Sequence, residues 1–69
     1  MSLNRDLTND GHVHRFVVTQ NHKGWEVREE EDSIILRAAH REDWHRVERD
    51  IRLFDIRALA LKGEGWVEN

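Results

Sequence analysis

Trp44, Val47, Ile51, Phe54, Ala58 and Leu61 recur at spacings of 3, 4, 3, 4 and 3, the repeat of one continuous face of an α-helix. The stripe predicts a long helix with a buried seam. At 100° per residue, the opposite side of its first half carries His45, Arg46, Glu48, Arg49 and Arg52, a solvated face. From Leu53 onward this changes. Leu53, Ile56 and Ala60 fall opposite the seam and Leu59 lies between the two sides, so the second half of the helix is apolar nearly all round. Such a helix needs a neighbour beyond its own sheet, and within 69 residues the remaining apolar side chains are those of the tail, Trp66 and Val67. A second copy is the simpler source. Leu53, Ile56, Leu59, Ala60 and Trp66 are therefore the expected dimer interface.

Size points the same way. A chain of 69 residues makes one domain, whose core seldom supplies more than about 3–5 kcal/mol, so a staple is needed. There is no cysteine, which removes disulfides and thiolate zinc sites and leaves association as the leading candidate. No apolar run approaches the ~18 residues of a membrane span and none near Met1 resembles a signal-peptide core, so a cytoplasmic location without membrane contact is expected.

Ahead of the helix, residues 1–11 contain Ser2, Asn4, Asp6, Thr8, Asn9 and Asp10 with only Leu3 and Leu7 as large aliphatics. They are expected to be a flexible N-terminal segment. Residues 12–69 form the domain. Val13, Phe16, Val17 and Val18 predict a strand over His12–Thr19, and the polar stretch Gln20–Gly24 a hairpin loop in which Gly24 supplies a positive φ. A second strand runs from Trp25 to about Glu31, with Trp25 and Val27 on the covered face. Asp32 and Ser33 turn the chain into a third strand, Ile34–Ala39, whose apolar run suits the middle or covered side of a sheet.

The helix is expected to begin near Glu42, with Glu42 and Asp43 in its first turn, no good N-cap before it, and Glu42–Arg46 and Glu48–Arg52 pairs along it. It is expected to end at Lys62, with Gly63 in the left-handed position. Ala58, Leu59, Ala60 and Leu61 are strong helix formers, which favours helix over a fourth strand at 56–61. The fold class that follows is α+β, a three-stranded antiparallel β-meander and one long C-terminal helix packed on the sheet.

Chemistry is sparse. His12 and His14, two apart on a strand, with His40 at the end of the last strand, are the candidate metal set, but two ligands on one strand do not make a site and no metal is expected. Serine and threonine stand in no motif with a base and an acid, and Gly63 and Gly65 follow a helix rather than open one, so neither catalysis nor a phosphate loop is expected, and no cofactor. Charged residues are 36% of the chain at a net charge of −3, which opposes general binding to phosphate backbones. Arg41, Arg46, Arg49, Arg52 and Arg57 with His45 are the candidate nucleic-acid face, yet from Arg41 to Lys62 six basic residues meet five acidic ones, a balance that suits a solvated ion-pair surface. Between Glu26 and Asp32 five carboxylates accompany only Arg28, an acidic hairpin that could pair with the arginine-rich helix of a second copy. Trp44 and Trp25 read as core, and Trp66 as a seal over its end. The expected role is a small non-enzymatic protein-interaction or accessory module acting as a homodimer; the alternative is a nucleic-acid-associated regulator using the arginine face.

Overall fold

The computed structural model describes residues 2–69. Four antiparallel strands follow one another as a meander: β1 (Ser2–Asn9), β2 (His12–Asn21), β3 (Gly24–Glu31) and β4 (Ile34–Arg41). A 20-residue helix, α1 (Trp44–Gly63), then returns to the far side of the sheet, where β5 (Val67–Glu68) pairs with β1. The sheet order is β4-β3-β2-β1-β5.

The α+β class, the antiparallel meander and the C-terminal helix agree with the sequence, but the meander has four main strands and a short fifth, not three. The additional strand is β1, formed by residues expected to be flexible. Asp10 (φ 53°) and Gly11 (φ 84°) make a two-residue turn with both residues left-handed, the conformation whose twist suits a hairpin. β1 then pairs along its whole length with β2, from Ser2 opposite Thr19 to Asn9 opposite His12. Its polar residues need no core, because alternate positions face solvent, while Leu7 on the inner face is fully buried.

The inner face carries Leu7 from β1, Phe16 and Val18 from β2 and Val27 from β3, and the seam residues Val47, Phe54 and Ala58 of α1 close over them. Phe16 and Phe54 lie with ring centroids 4.7 Å apart. Ile51, Leu61, Trp25 and Trp66 pack around this centre. The helix covers residues 56–61 as expected. Trp44, by contrast, stands at the rim, more than one-third exposed, with its ring 5.5 Å from that of Trp25.

The helix ends differ from expectation. Asp43 is the N-cap, with extended backbone and its Oδ1 accepting from the backbone N–H of His45 at 2.9 Å. Glu42 thus lies before the helix, which removes the spacing on which a Glu42–Arg46 pair rested; among the described residues neither that pair nor Glu48–Arg52 forms, and Glu48 instead meets His45. At the other end α1 includes Gly63, Glu64 donates its N–H to Leu61 O, and the left-handed residue is Gly65 (φ 103°).

β4 is also placed differently. It is an edge strand and not a covered one, and Ile34 (66%), Ile35 (57%) and Leu36 (55%) are all exposed. The Asp32–Ser33 turn does form, with φ of 51° and 69°. Gly24 has φ 134°, and a Cβ there would stand 2.4 Å from the carbonyl oxygen of Arg41, so this end of β3 admits no side chain.

Candidate interaction surface

The surface is built by α1 and the β4 edge, and ion pairs decide which way each side of α1 points. Asp50 accepts from Arg41 of β4 at 2.9 Å, and Arg57 donates to Glu29 of β3 at 2.5 Å. Leu53 lies between Asp50 and Arg57 at helical spacings of three and four, so it shares their flank and faces β4. On the opposite flank Asp55 pairs with Arg5 of β1, and Lys62 with Glu68 of β5 at 2.8 Å. Leu59, four residues after Asp55, belongs to that side. Ile56 occupies the crest between them.

Of the residues expected at the interface, Leu53 (49%), Ile56 (64%) and Leu59 (72%) are exposed large hydrophobics, and Ala60 is exposed beside them. Trp66 is not part of this surface. It packs on the inner core, its ring edge-on to that of His14 at 5.8 Å. Between α1 and β4 runs a groove with Arg37, Ala39 and Leu53 at its rim and Val27, Phe54 and Glu29 beneath.

Under the groove lies a cluster of hydrogen-bonded ionisable side chains that the sequence did not suggest. Glu29 is 1% exposed and His14 3%. His14 Nε2 is 2.7 Å from Glu29 Oε2 and its Nδ1 is 3.1 Å from Glu31 Oε1, an arrangement in which both contacts are hydrogen bonds when both ring nitrogens carry protons. Arg57 Nε and Nη2 donate to the same oxygen of Glu29 at 3.0 and 2.5 Å. Buried polar side chains of this kind are tolerated because each is hydrogen-bonded. The signal in the sequence was parity: Glu29 and Glu31 continue the covered face begun by Trp25 and Val27.

The acidic hairpin is therefore internally compensated. Glu29 and Glu31 meet His14, Glu30 meets Arg28 at 3.0 Å, and Asp32 meets His12 at 2.7 Å. Among its five carboxylates only Glu26 is without an ion-pair partner among the described residues. Asp32 has its pKa lowered, first by the backbone N–H of Val13 and then by His12, whose own pKa is raised by the same contact.

The three histidines weighed as metal ligands are not brought together. β3 separates β2 from β4, His14 has both ring nitrogens engaged, and His40 stands opposite Glu26 on the sheet face away from α1. That face is polar: Asp6 accepts from Arg15 at 2.8 Å, and with Arg28–Glu30 this pair flanks the buried Val17. Of the helix arginines, Arg41 and Arg57 are engaged in the ion pairs above. Arg46, Arg49 and Arg52 are exposed and have no ion-pair partner among the described residues.

No helix is long and apolar enough to cross a membrane among the described residues. No known family model, curated protein or solved structure matches the chain.

Proposed function

We propose that this protein is a non-enzymatic interaction or accessory module that works as a homodimer in the cytoplasm, associating through the outer face of α1. One observation carries the reading: Leu53, Ile56 and Leu59, on the outward half of a helix whose seam already fills the core, are between half and three-quarters exposed. Contiguous exposed apolar surface on a small domain marks an association site. The total accessible surface is 4833 Å², so a standard interface of about 800 Å² per partner takes roughly a sixth of it. Ile56→Lys is expected to halve the solution mass measured by sedimentation at micromolar concentration while leaving the helical circular dichroism unchanged. A wild-type protein that sediments as a monomer would refute the homodimer.

Arg46, Arg49 and Arg52, exposed and without an ion-pair partner among the described residues, support a second reading as a nucleic-acid-associated regulator. Binding of duplex or single-stranded probes that weakens steeply with salt is the behaviour it requires.

A further inference from the structure

The side of the molecule where α1 faces β4 is basic, in a chain whose net charge is −3. Arg37 and Arg41 stand opposite Glu29 and Trp25 in the sheet register, with Ala39 between them opposite Val27, so all three lie on the face that carries α1. From the helix, Arg57 borders the same groove, and Arg46 and Arg49 continue the band beside Arg41. The carboxylates among them are Asp50, held by Arg41, and Glu29, held by Arg57 and His14. Arg37 is exposed and has no ion-pair partner among the described residues. The band thus holds more positive charge than these two carboxylates answer.

Among the described residues no strand pairs with the outer side of β4, so along its eight residues the backbone groups that point away from β3 are open to another chain. Beside that edge the groove is apolar between its charges, walled by Val27, Ala39, Leu53 and Phe54. We infer that this edge binds an extended acidic segment of another protein, which adds to the sheet beside β4, sets carboxylates against Arg37 and Arg41 and places an aliphatic side chain in the groove over Ala39. Binding here does not require the homodimer, whose crest residue Ile56 lies outside the groove.

Strand period and charge together fix the chemistry of the segment. Residues two apart on a strand share a face, and opposed residues of neighbouring strands share it too. A side chain opposite Ala39 therefore enters the apolar groove, and those two positions before and after it meet Arg37 and Arg41. The segment so recognised reads acidic, any, aliphatic, any, acidic, the same in either chain direction. Backbone hydrogen bonds along the edge supply affinity and the alternate side chains supply specificity. A second copy of β4 would bring arginines into a band that is already basic. A phosphate backbone would answer the arginines but leave the strand edge and the apolar groove unused, which favours a peptide over a nucleic acid.

The probe is a fluorescein-labelled peptide, TETVTET, added to the full-length protein and followed by fluorescence anisotropy, with TKTVTKT as its control. TETVTET is expected to bind saturably and TKTVTKT not to bind. Arg37→Glu, at an exposed position, is expected to weaken TETVTET by about tenfold or more and to admit TKTVTKT, with circular dichroism unchanged, because the reversed charge now meets its like in one peptide and its opposite in the other. Arg52→Glu, on the far side of Ile56 and outside the groove, leaves the affinity unchanged. Bound TETVTET is also expected to slow hydrogen exchange of the β4 backbone amides, which a charge contact without strand pairing would not do. Equal binding of the two peptides, binding of neither, an equal loss with Arg52→Glu or unchanged β4 exchange overturns the inference. So do two results that give the band to another occupant. A sedimenting mass halved by Arg37→Glu without peptide gives the edge to a second copy, and a labelled oligonucleotide that displaces TETVTET and is itself lost with Arg37→Glu gives it to a phosphate backbone. A wild-type monomer that binds TETVTET refutes the homodimer and supports the peptide site.

Discussion

Glu29 is the residue on which most of the interior polarity depends. Its Oε2 accepts from His14 and from two nitrogens of Arg57, so it ties β2, β3 and α1 at one atom. Replacing an ion pair by apolar groups of similar volume is often neutral, but removing one partner strands the others and costs roughly 3–5 kcal/mol. Arg57 can turn to solvent because its side chain is 44% exposed; His14 cannot. Glu29→Ala is therefore expected to destabilise by about 3 kcal/mol or more, comparable with the whole stability of a core this small. Urea unfolding followed by tryptophan fluorescence checks it, and a midpoint unchanged from wild type would show that the cluster is energetically idle. Arg57→Ala is expected to cost less, since it leaves the His14–Glu29 contact in place.

At the scale of elements, the short β5 is held by side chains more than by backbone. Glu68 accepts from Arg5 Nε and Nη2 at 2.8 and 2.9 Å and meets Lys62 at 2.8 Å. The hydrogen bond from Arg5, then that from Lys62, lower its pKa from 4.5 to about 2. A carboxylate with a depressed folded-state pKa contributes stability that is fully present above its unfolded value and lost as pH falls through its folded one. The wild-type melting temperature should thus drop between pH 4.5 and 2 by more than that of Glu68→Gln. Equal slopes in the two proteins would refute the anchoring role. Solvent reaches a quarter of the Glu68 side chain, so added salt should shrink the difference.

The same scale explains what was legible beforehand. The seam from Val47 to Leu61 was readable because a period of 3.6 repeated through about four turns has no other cause, β2 because β-branched and aromatic residues fill it, and β3 because Trp25 and Val27 alternate with charged residues after the turn. β1 was not, since Ser2, Asn4, Asp6 and Asn9 resemble a loop in isolation; the available signal was the Asp10–Gly11 dipeptide ahead of β2. Asp43 was assigned to the first turn rather than to the N-cap, because a helix start is a matter of backbone angles that composition locates only within a few residues. The apolar run Ile34–Leu36 looks the same in a central strand and in an edge strand left open. Only the strand order separates the two. The candidate surface was half legible: Leu53, Ile56 and Leu59 from helical phase alone, but not the β4 edge beside them.

For the whole molecule, folding and association are coupled if the working unit is a pair. A lone copy buries a core cluster of seven side chains, Phe16 and Phe54 among them, and leaves Ile34, Ile35, Leu36, Leu53, Ile56 and Leu59 in water, a large fraction of its apolar content. Anything that binds the folded state alone stabilises it by mass action, a second copy included. A hundredfold rise in protein concentration should then add about 2.7 kcal/mol to the dimer. Two copies of 69 residues unfolding together shift by roughly 2–4 °C per kcal/mol, so the melting temperature should rise by about 5–10 °C across that range. Ile56→Lys should flatten the dependence as well as lower the curve, because a protein that melts as a monomer has no concentration term. A wild-type melting temperature independent of concentration would separate folding from association, and the exposed apolar band would then have to be met by a different chain.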